Sequence, residues 1–182
     1  MRKITARLFM SLDGVVGSPD RWVGPYFNEE IGEAVGAVGE VTDAMLLGRR
    51  TYEEWADYWP DKTAEDDPYA GFINDVPKFV VSRTLTTVGW RNSSLLSGDL
   101  AEALADLKEQ PGTGVGISGS ITLIGSLLRM GLLDQLTLLV FPVVVGSGKR
   151  LFEADEQVPL HLIDSKTFQG GVLSLTYERV EA

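Results

Sequence analysis

Three short apolar runs in this chain stop at a glycine or a serine, and two of them open directly into a helical pattern. They are AMLLG before RRTYEEWADYW, KFVVS before RT, and GVGIS before GSITLIGSLLRM. Strands that return through a helix pair in parallel. The rest of the chain follows the same plan. Residues 4–10 read as a strand ended by Asp13-Gly14, and Asn28 caps a helix running to about Gly39. Strands are expected at 44–48, 78–82, 115–118 and 136–145, and Pro142 inside the last implies a bulge or an edge there. Helices are expected at 49–59, at 100–108 with Asp99 as cap, and at 121–130, ended by Gly131. Residues 60–76 read as a polar, acidic loop, and 160–168 and 172–180 flank Gly170-Gly171 as a terminal hairpin. The expected fold class is α/β, a mostly parallel sheet with an antiparallel end.

Composition narrows the chemistry. The 182 residues hold no linker, repeat or low-complexity stretch, so a single domain over 1–182 is expected. With no cysteine, thiolate metal sites, disulfides and cysteine nucleophiles are excluded. His161 is the one histidine, too little for a triad or a multi-histidine centre, and it falls on the surface face of a hairpin strand. Glu65-Asp66-Asp67 lacks the alternating spacing of a calcium loop, so no metal is expected. Net charge is -10 and no basic cluster exists, which argues against nucleic acid and anionic membranes as partners. The N-terminus does not read as a signal peptide, and no run reaches the roughly 20 apolar residues of a membrane span. A cytoplasmic protein is expected. The sequon Asn92-Ser93-Ser94 has no secretory signal beside it.

GVGISGSITLIGSLL contains a G-x-G-x-x-G match at Gly114, Gly116 and Gly119. The dinucleotide fingerprint must follow a strand and open a helix, yet Gly114 and Gly116 fall before or inside the strand. The match is therefore read as chance. What remains is Ser118-Gly119-Ser120-Ile121-Thr122, where glycine admits a ligand and helix amides favour an anion. A plain strand-helix turn with serine as cap is the other reading. VVVGSGKR, at 143–150, fails as a phosphate loop because Val143 stands where glycine is needed and Arg150 follows the lysine, so it reads as a flexible loop.

Arg49 and Arg50 follow Gly48 at a helix N-terminus, where cations are disfavoured by the dipole. An anionic ligand would resolve that conflict, and so would a reach to Glu53 or Glu54. Ser82-Arg83-Thr84 pairs hydroxyls with a guanidinium fork that suits a phosphate monoester, although strands often end in polar residues. All three candidates lie at carboxyl ends of expected strands, where open α/β sheets bind ligands. NADPH, with its extra 2′-phosphate, fits three anion sites better than ATP does.

LFMSLDGVVG, MLLGRRTYE, KFVVSRTL, ISGSITLIGSLL and LLDQLTLLVFPVVVGSGKRLF occur in one order over most of the chain. In these the chain resembles the dihydrofolate reductase-like superfamily, in the branch typified by the reductase domain of riboflavin-biosynthesis deaminase-reductases. The resemblance implies a three-layer fold, an eight- or nine-stranded mixed sheet with helices on both faces, and an NADPH cleft across strand ends. It implies that Arg49 and Thr51, beside Gly48, meet cofactor phosphates. Ser82 and Arg83 would hold the 2′-phosphate, and Gly119, Ser120, Ile121 and Thr122 would cradle the pyrophosphate. It also implies a homodimer. The deaminase half's zinc signature is absent, which points to a stand-alone reductase-like domain. Dihydrofolate reductase itself grips its pterin with a carboxylate some five residues after a tryptophan. After Trp22 that position holds Phe27 or Asn28, with Glu29 and Glu30 nearby.

Asp13 matches an aspartate that faces the substrate side in the riboflavin branch, and it is expected as a polar contact or proton donor. An Asp-Gly turn is the alternative. Tyr52, Trp55 and Trp59 recur at helical spacing and either stack on a planar substrate or belong to the core; Tyr26 and Phe27 allow the same two readings. Gly146 and Gly148 would let a loop approach substrate or nicotinamide, or simply turn. The expected activity is that of an NADPH-dependent oxidoreductase acting on a CH–NH or related group of a small pyrimidine- or pterin-like heterocycle. The alternatives are a dihydrofolate or pterin reductase with an atypical pocket, and a non-catalytic nucleotide-binding dimer.

Overall fold

The computed structural model describes residues 1–152 and 157–180. Its strands are β1 (Lys3–Ser11), β2 (Ala44–Gly48), β3 (Lys78–Val81), β4 (Ser93–Leu96), β5 (Gly114–Ser118), β6 (Gln135–Phe141), β7 (Leu160–Thr167) and β8 (Leu173–Arg179). They form one eight-stranded sheet in the order β4-β3-β2-β5-β1-β6-β8-β7. Pairing is parallel from β4 to β6, and antiparallel from β6 through β8 to β7. The helices are α1 (Glu29–Gly36), α2 (Val38–Val41), α3 (Arg49–Tyr58), α4 (Ala70–Asp75), α5 (Leu100–Glu109) and α6 (Ile121–Met130).

Helices cover both faces of the sheet, and β2 shows the division residue by residue. Leu46 packs in a core with Leu104 and Leu107 of α5 and with Ile124 and Leu127 of α6. Its neighbours Met45 and Leu47 point the other way and pack with Tyr52 of α3 and Ile73 of α4. A third cluster closes the far end, where Ile31 of α1 meets Trp22, Leu139, Phe141 and Phe168.

Four local expectations change. Residues 60–76 are not all loop, because Ala70 and Ile73 of α4 are buried against the sheet. Strand β4 was not legible in Ser93-Ser94-Leu95-Leu96; it exists because β3 offers it a free parallel edge. The strand expected over 136–145 stops at Phe141, since Pro142 has no N–H for the ladder and the Val143 carbonyl accepts instead from Leu12 N. The helix expected over 29–39 breaks at Ala37 into α1 and α2.

The end of α4 rests on a buried cation. Lys78 Nζ donates to the carbonyls of Ile73 (2.9 Å), Asn74 (3.1 Å) and Val76 (2.8 Å), and lies 4.3 Å from the centre of the Trp90 ring. Those carbonyls have no other helical donor, so the ammonium replaces a cap. Lys78→Ala removes it and opens a cavity. Urea unfolding should show a loss of about 2–4 kcal/mol, the range for orphaning buried acceptors in a packed site.

Candidate active site

In the middle of a parallel sheet a strand is normally covered on both faces and apolar throughout. β1 is not. Ile4, Ala6 and Leu8 are buried, whereas Thr5, Arg7 and Phe9 are only half-buried. Thr5 is in register with Gln135, and Arg7 with Thr137, so β1 and β6 share one polar face. That face floors a cleft of about 2020 Å³, which runs on past the ends of β2, β3 and β5. All nine residues expected to meet the cofactor line it: Gly48, Arg49, Thr51, Ser82, Arg83, Gly119, Ser120, Ile121 and Thr122.

Two of the strand-helix junctions are latched to each other. Gly48 N donates to Ser120 Oγ (2.9 Å), and Ser120 N donates to Thr51 Oγ1 (2.8 Å). Both hydroxyls accept these bonds and keep a proton to give. Ser120 therefore bridges to the neighbouring strand's turn and does not cap its own helix. The latch requires a left-handed backbone at Gly119 (φ 63°), and a Cβ there would stand 3.1 Å from Thr51 Cγ2.

The two helices starting at this latch differ from α1 and α5. Asn28 caps α1 by accepting from Ile31 N, and Asp99 caps α5 by accepting from Ala101 N and Glu102 N. α3 and α6 have neither a side-chain cap nor an acid in the first turn. Their first amides have no intrahelical acceptor and open at the cleft, a donor set suited to an anion.

Arg83 also lines the cleft and has no hydrogen bond or ion pair among the described residues. Ser82 Oγ is held in its turn, accepting from Thr84 N (3.1 Å) and Leu85 N (2.9 Å). Arg49 reaches back to Glu53 at 2.8 Å, one of the two resolutions open from sequence, while Arg50 also lines the cleft.

The expected substrate-side residues divide. Trp55 and Trp59 line the cleft as an edge-on pair 6.2 Å apart, and Phe27 lines it from the segment before α1. Tyr52 does not: it is buried against Trp90, and its hydroxyl accepts from Gly89 N and Trp90 N. Asp13 and Gly146 are also outside the cleft lining. The Asp13 carboxylate accepts from Ser11 Oγ (2.7 Å), Val145 N (3.0 Å) and Gly146 N (2.9 Å). These bonds, the Ser11 hydroxyl's foremost, hold its pKa down at about 2, so at neutral pH it has no proton to donate.

Sequence reasoning missed two cations. Arg7 stands on the floor among Phe9, Phe27, Val35 and Thr137, and its Nη1 donates to the Ala34 carbonyl at 2.6 Å. No carboxylate pairs with it among the described residues, and burial pulls its pKa below the ordinary arginine value. An arginine at an alternate position of an otherwise apolar central strand was the available signal. The other is Lys149, whose Nζ donates to Thr122 Oγ1 at 2.7 Å. Among the described residues no group of three or more His, Asp or Glu side chains converges as a metal site, and no helix is long and apolar enough to cross a membrane.

Residues 2–174 match the RibD C-terminal domain model. The chain belongs to the RibD C-terminal domain family. Among relatives of this RibD-type chain, the uncharacterized protein YyaP of Bacillus subtilis (strain 168) is 29% identical over 139 residues, 74% of this chain and 73% of YyaP. A putative riboflavin biosynthesis protein from Shewanella sp. PV-4 is 25% identical and superposes with a TM-score of 0.79, over 98% of this chain and 99% of its own. Dihydrofolate reductase from Enterococcus faecalis, in complex with NADP(H), is 14% identical with a TM-score of 0.65 over 98% and 97% of the two chains, which shows a shared fold. The expected dihydrofolate reductase-like fold is thus borne out.

The Asp13 shift has a pH consequence. Its folded pKa, about 2, lies below the ordinary 3.8, so the ionised form stabilises the fold fully above 3.8 and that contribution fades as pH falls toward 2. Thermal melts across this window should show a shallower acid slope in Asp13→Asn than in wild type. Parallel slopes would mean that the carboxylate is not held as described.

Proposed function

We propose that this RibD-type chain is an NADPH-dependent reductase of a small heterocycle with a carbonyl or anionic edge. The observation that carries the reading is the pair of uncapped helix ends latched at one point of a cleft that Arg83 also lines. A pyrophosphate suits the amides of α3 and α6, and Arg83, without a carboxylate of its own, suits the 2′-phosphate. Bound NADPH would supply the hydride. The chain's part is to bind the two partners, orient them and exclude water.

Arg7 sets the substrate class. A half-buried guanidinium without a carboxylate partner calls for an oxygen acceptor or an anion on the ligand. The aromatic walls at Phe27 and Trp55 suit a planar ring. A pterin presents an amidine edge that wants a carboxylate, and neither Glu29 nor Glu30, the acids next to Phe27, lines the cleft, whose acid from the preceding segment is Asp20. Asn28 caps α1, and Glu30 accepts from Gln169 N and pairs with Lys166. The charge at this floor therefore favours a pyrimidinone-like acceptor over dihydrofolate. The reading includes a homodimer. Every residue of edge strand β7 after Leu160 is exposed, Leu162 and Ile163 among them, which leaves a rim for a second copy.

Calorimetric titration should give tighter binding of NADPH than of NADH, with the preference reduced roughly 10- to 100-fold in Arg83→Ala, the worth of a charge-assisted phosphate contact. A folded wild type that binds neither cofactor would overturn the reading, and binding without NADPH oxidation on any heterocycle would favour a non-catalytic binder. On a pyrimidinone panel, Arg7→Met should lower kcat/KM by roughly 100-fold while NADPH affinity stays unchanged. Equal activity in the variant would remove Arg7 from the substrate site.

A further inference from the structure

The loop at 143–150, which as sequence reads as a flexible connection, is pinned at Val143, Val145, Gly146, Lys149 and Arg150. Leu12 N donates to the Val143 carbonyl, Val145 N and Gly146 N donate to Asp13, and Val16 N and Gly17 N donate to the Lys149 carbonyl. Arg150 pairs with Val15 as an isolated antiparallel bridge, and its guanidinium bonds the Asp13 carbonyl (Nε, 3.1 Å) and carboxylate (Nη2, 3.4 Å). Two glycines allow this path. Gly146 has φ 83°, and Gly148 has φ 138° with no room for a Cβ, which would stand 2.6 Å from Val15 Cγ1.

The result of this pinning is the position of one side chain. Lys149 lies over Gly17, where a Cβ on Gly17 would come 3.3 Å from Lys149 Cβ, and its Nζ is delivered to Thr122 in the first turn of α6. Its partner there is a neutral hydroxyl. Among the described residues no carboxylate is within ion-pair distance of Lys149. A cation is dipole-unfavourable at a helix N-terminus unless it shares an anion with that terminus.

We infer that Lys149 is a pyrophosphate ligand of the cofactor site and that Asp13 is its positioning residue, acting through the 143–150 loop. The inference rests on the NADPH reading above and assigns to it two residues that act on the part of the cofactor common to NADPH and NADH. The Asp13 carboxylate holds the loop at Val145, Gly146 and Arg150, and the loop holds the ammonium at α6. The VVVGSGKR segment thus contributes a phosphate-binding lysine without forming a phosphate loop of its own.

The test is a set of titrations of NADPH and NADH into wild type, Lys149→Met, Lys149→Arg, Asp13→Asn and the Asp13→Asn/Lys149→Met double variant, each checked for folding by thermal melting. Lys149→Met should weaken both cofactors by the same factor, roughly tenfold, since one charge-assisted contact is lost and the 2′-phosphate is not involved. Lys149→Arg should recover most of that loss. Asp13→Asn should also weaken both cofactors equally, and it should add little in the Lys149→Met background, because the two residues act as one unit. Wild-type binding with unchanged affinity in Lys149→Met would overturn the inference and leave the NADPH reading intact. So would a Lys149→Met loss confined to NADPH, or additive effects in the double variant. If wild type binds neither cofactor, both fall, and wild type alone shows it. Should Asp13→Asn not fold, Asp13→Glu takes its place.

Discussion

The hydrogen bonds between Gly48, Ser120 and Thr51 join two turns that lie 72 and 69 residues apart in the chain. Everything proposed for the cleft depends on them. Adjacent parallel strands β2 and β5 bring their carboxyl ends together, and the latch then sets the first turns of α3 and α6 against one space. Ser120 adopts a left-handed conformation (φ 34°, ψ 41°) to do so, a strained choice for a residue with a side chain. Glycine could take that backbone without strain but would lack the hydroxyl that Gly48 N requires. The local strain, of order 1 kcal/mol or more, is offset by two hydrogen bonds, one buried and one part-buried, that join the two turns.

The second constraint is the two-faced character of β1. Its buried face, Ile4, Ala6 and Leu8, belongs to the core under α6, and its other face is left open as the floor of the cleft. A central strand can afford that only because α5 and α6 supply enough apolar cover on one side. The open side can then carry Arg7 and Thr5, residues that a fully covered strand would not tolerate. The chain as a whole carries a net charge of -10, yet the cleft is lined by five cations, Arg7, Arg49, Arg50, Arg83 and Lys149, against four acids, Asp20, Glu54, Asp67 and Asp99. The lining is thus less negative than the chain as a whole.

Much of the frame was legible. The helix over 121–130 is found at the residues expected, and the cap at Asp99 and the break at Gly131 fall where their chemistry places them. The terminal hairpin follows from two strand patterns around adjacent glycines. Illegible were the elements whose stability is not local. α4 depends on a lysine that follows it and on burial of Ala70 and Ile73, and β4 depends on the edge of β3. Neither the four residues of β4 nor the six of α4 have enough intrinsic preference to announce themselves.

The same division holds for the site. The residue types and strand-end positions of the turns that line the cleft were readable, because glycine, hydroxyl and arginine at a strand-helix junction have chemical meaning wherever they occur. Asp13 was also readable as important, but its direction was not. Whether a carboxylate after a strand faces a ligand or grips a neighbouring loop depends on amides contributed 132 and 133 residues later. Tyr52 and Trp55 share one helix, and only the packing of Trp90 decides that the first is core and the second cleft wall. The sequence by itself determined the alternation of strands and helices and the chemistry at their junctions, because propensity, capping and periodicity act within a few residues. The tertiary structure alone decided which junctions meet, which face of β1 stays open and where Lys149 reaches, because those outcomes are set by contacts between segments remote in the chain.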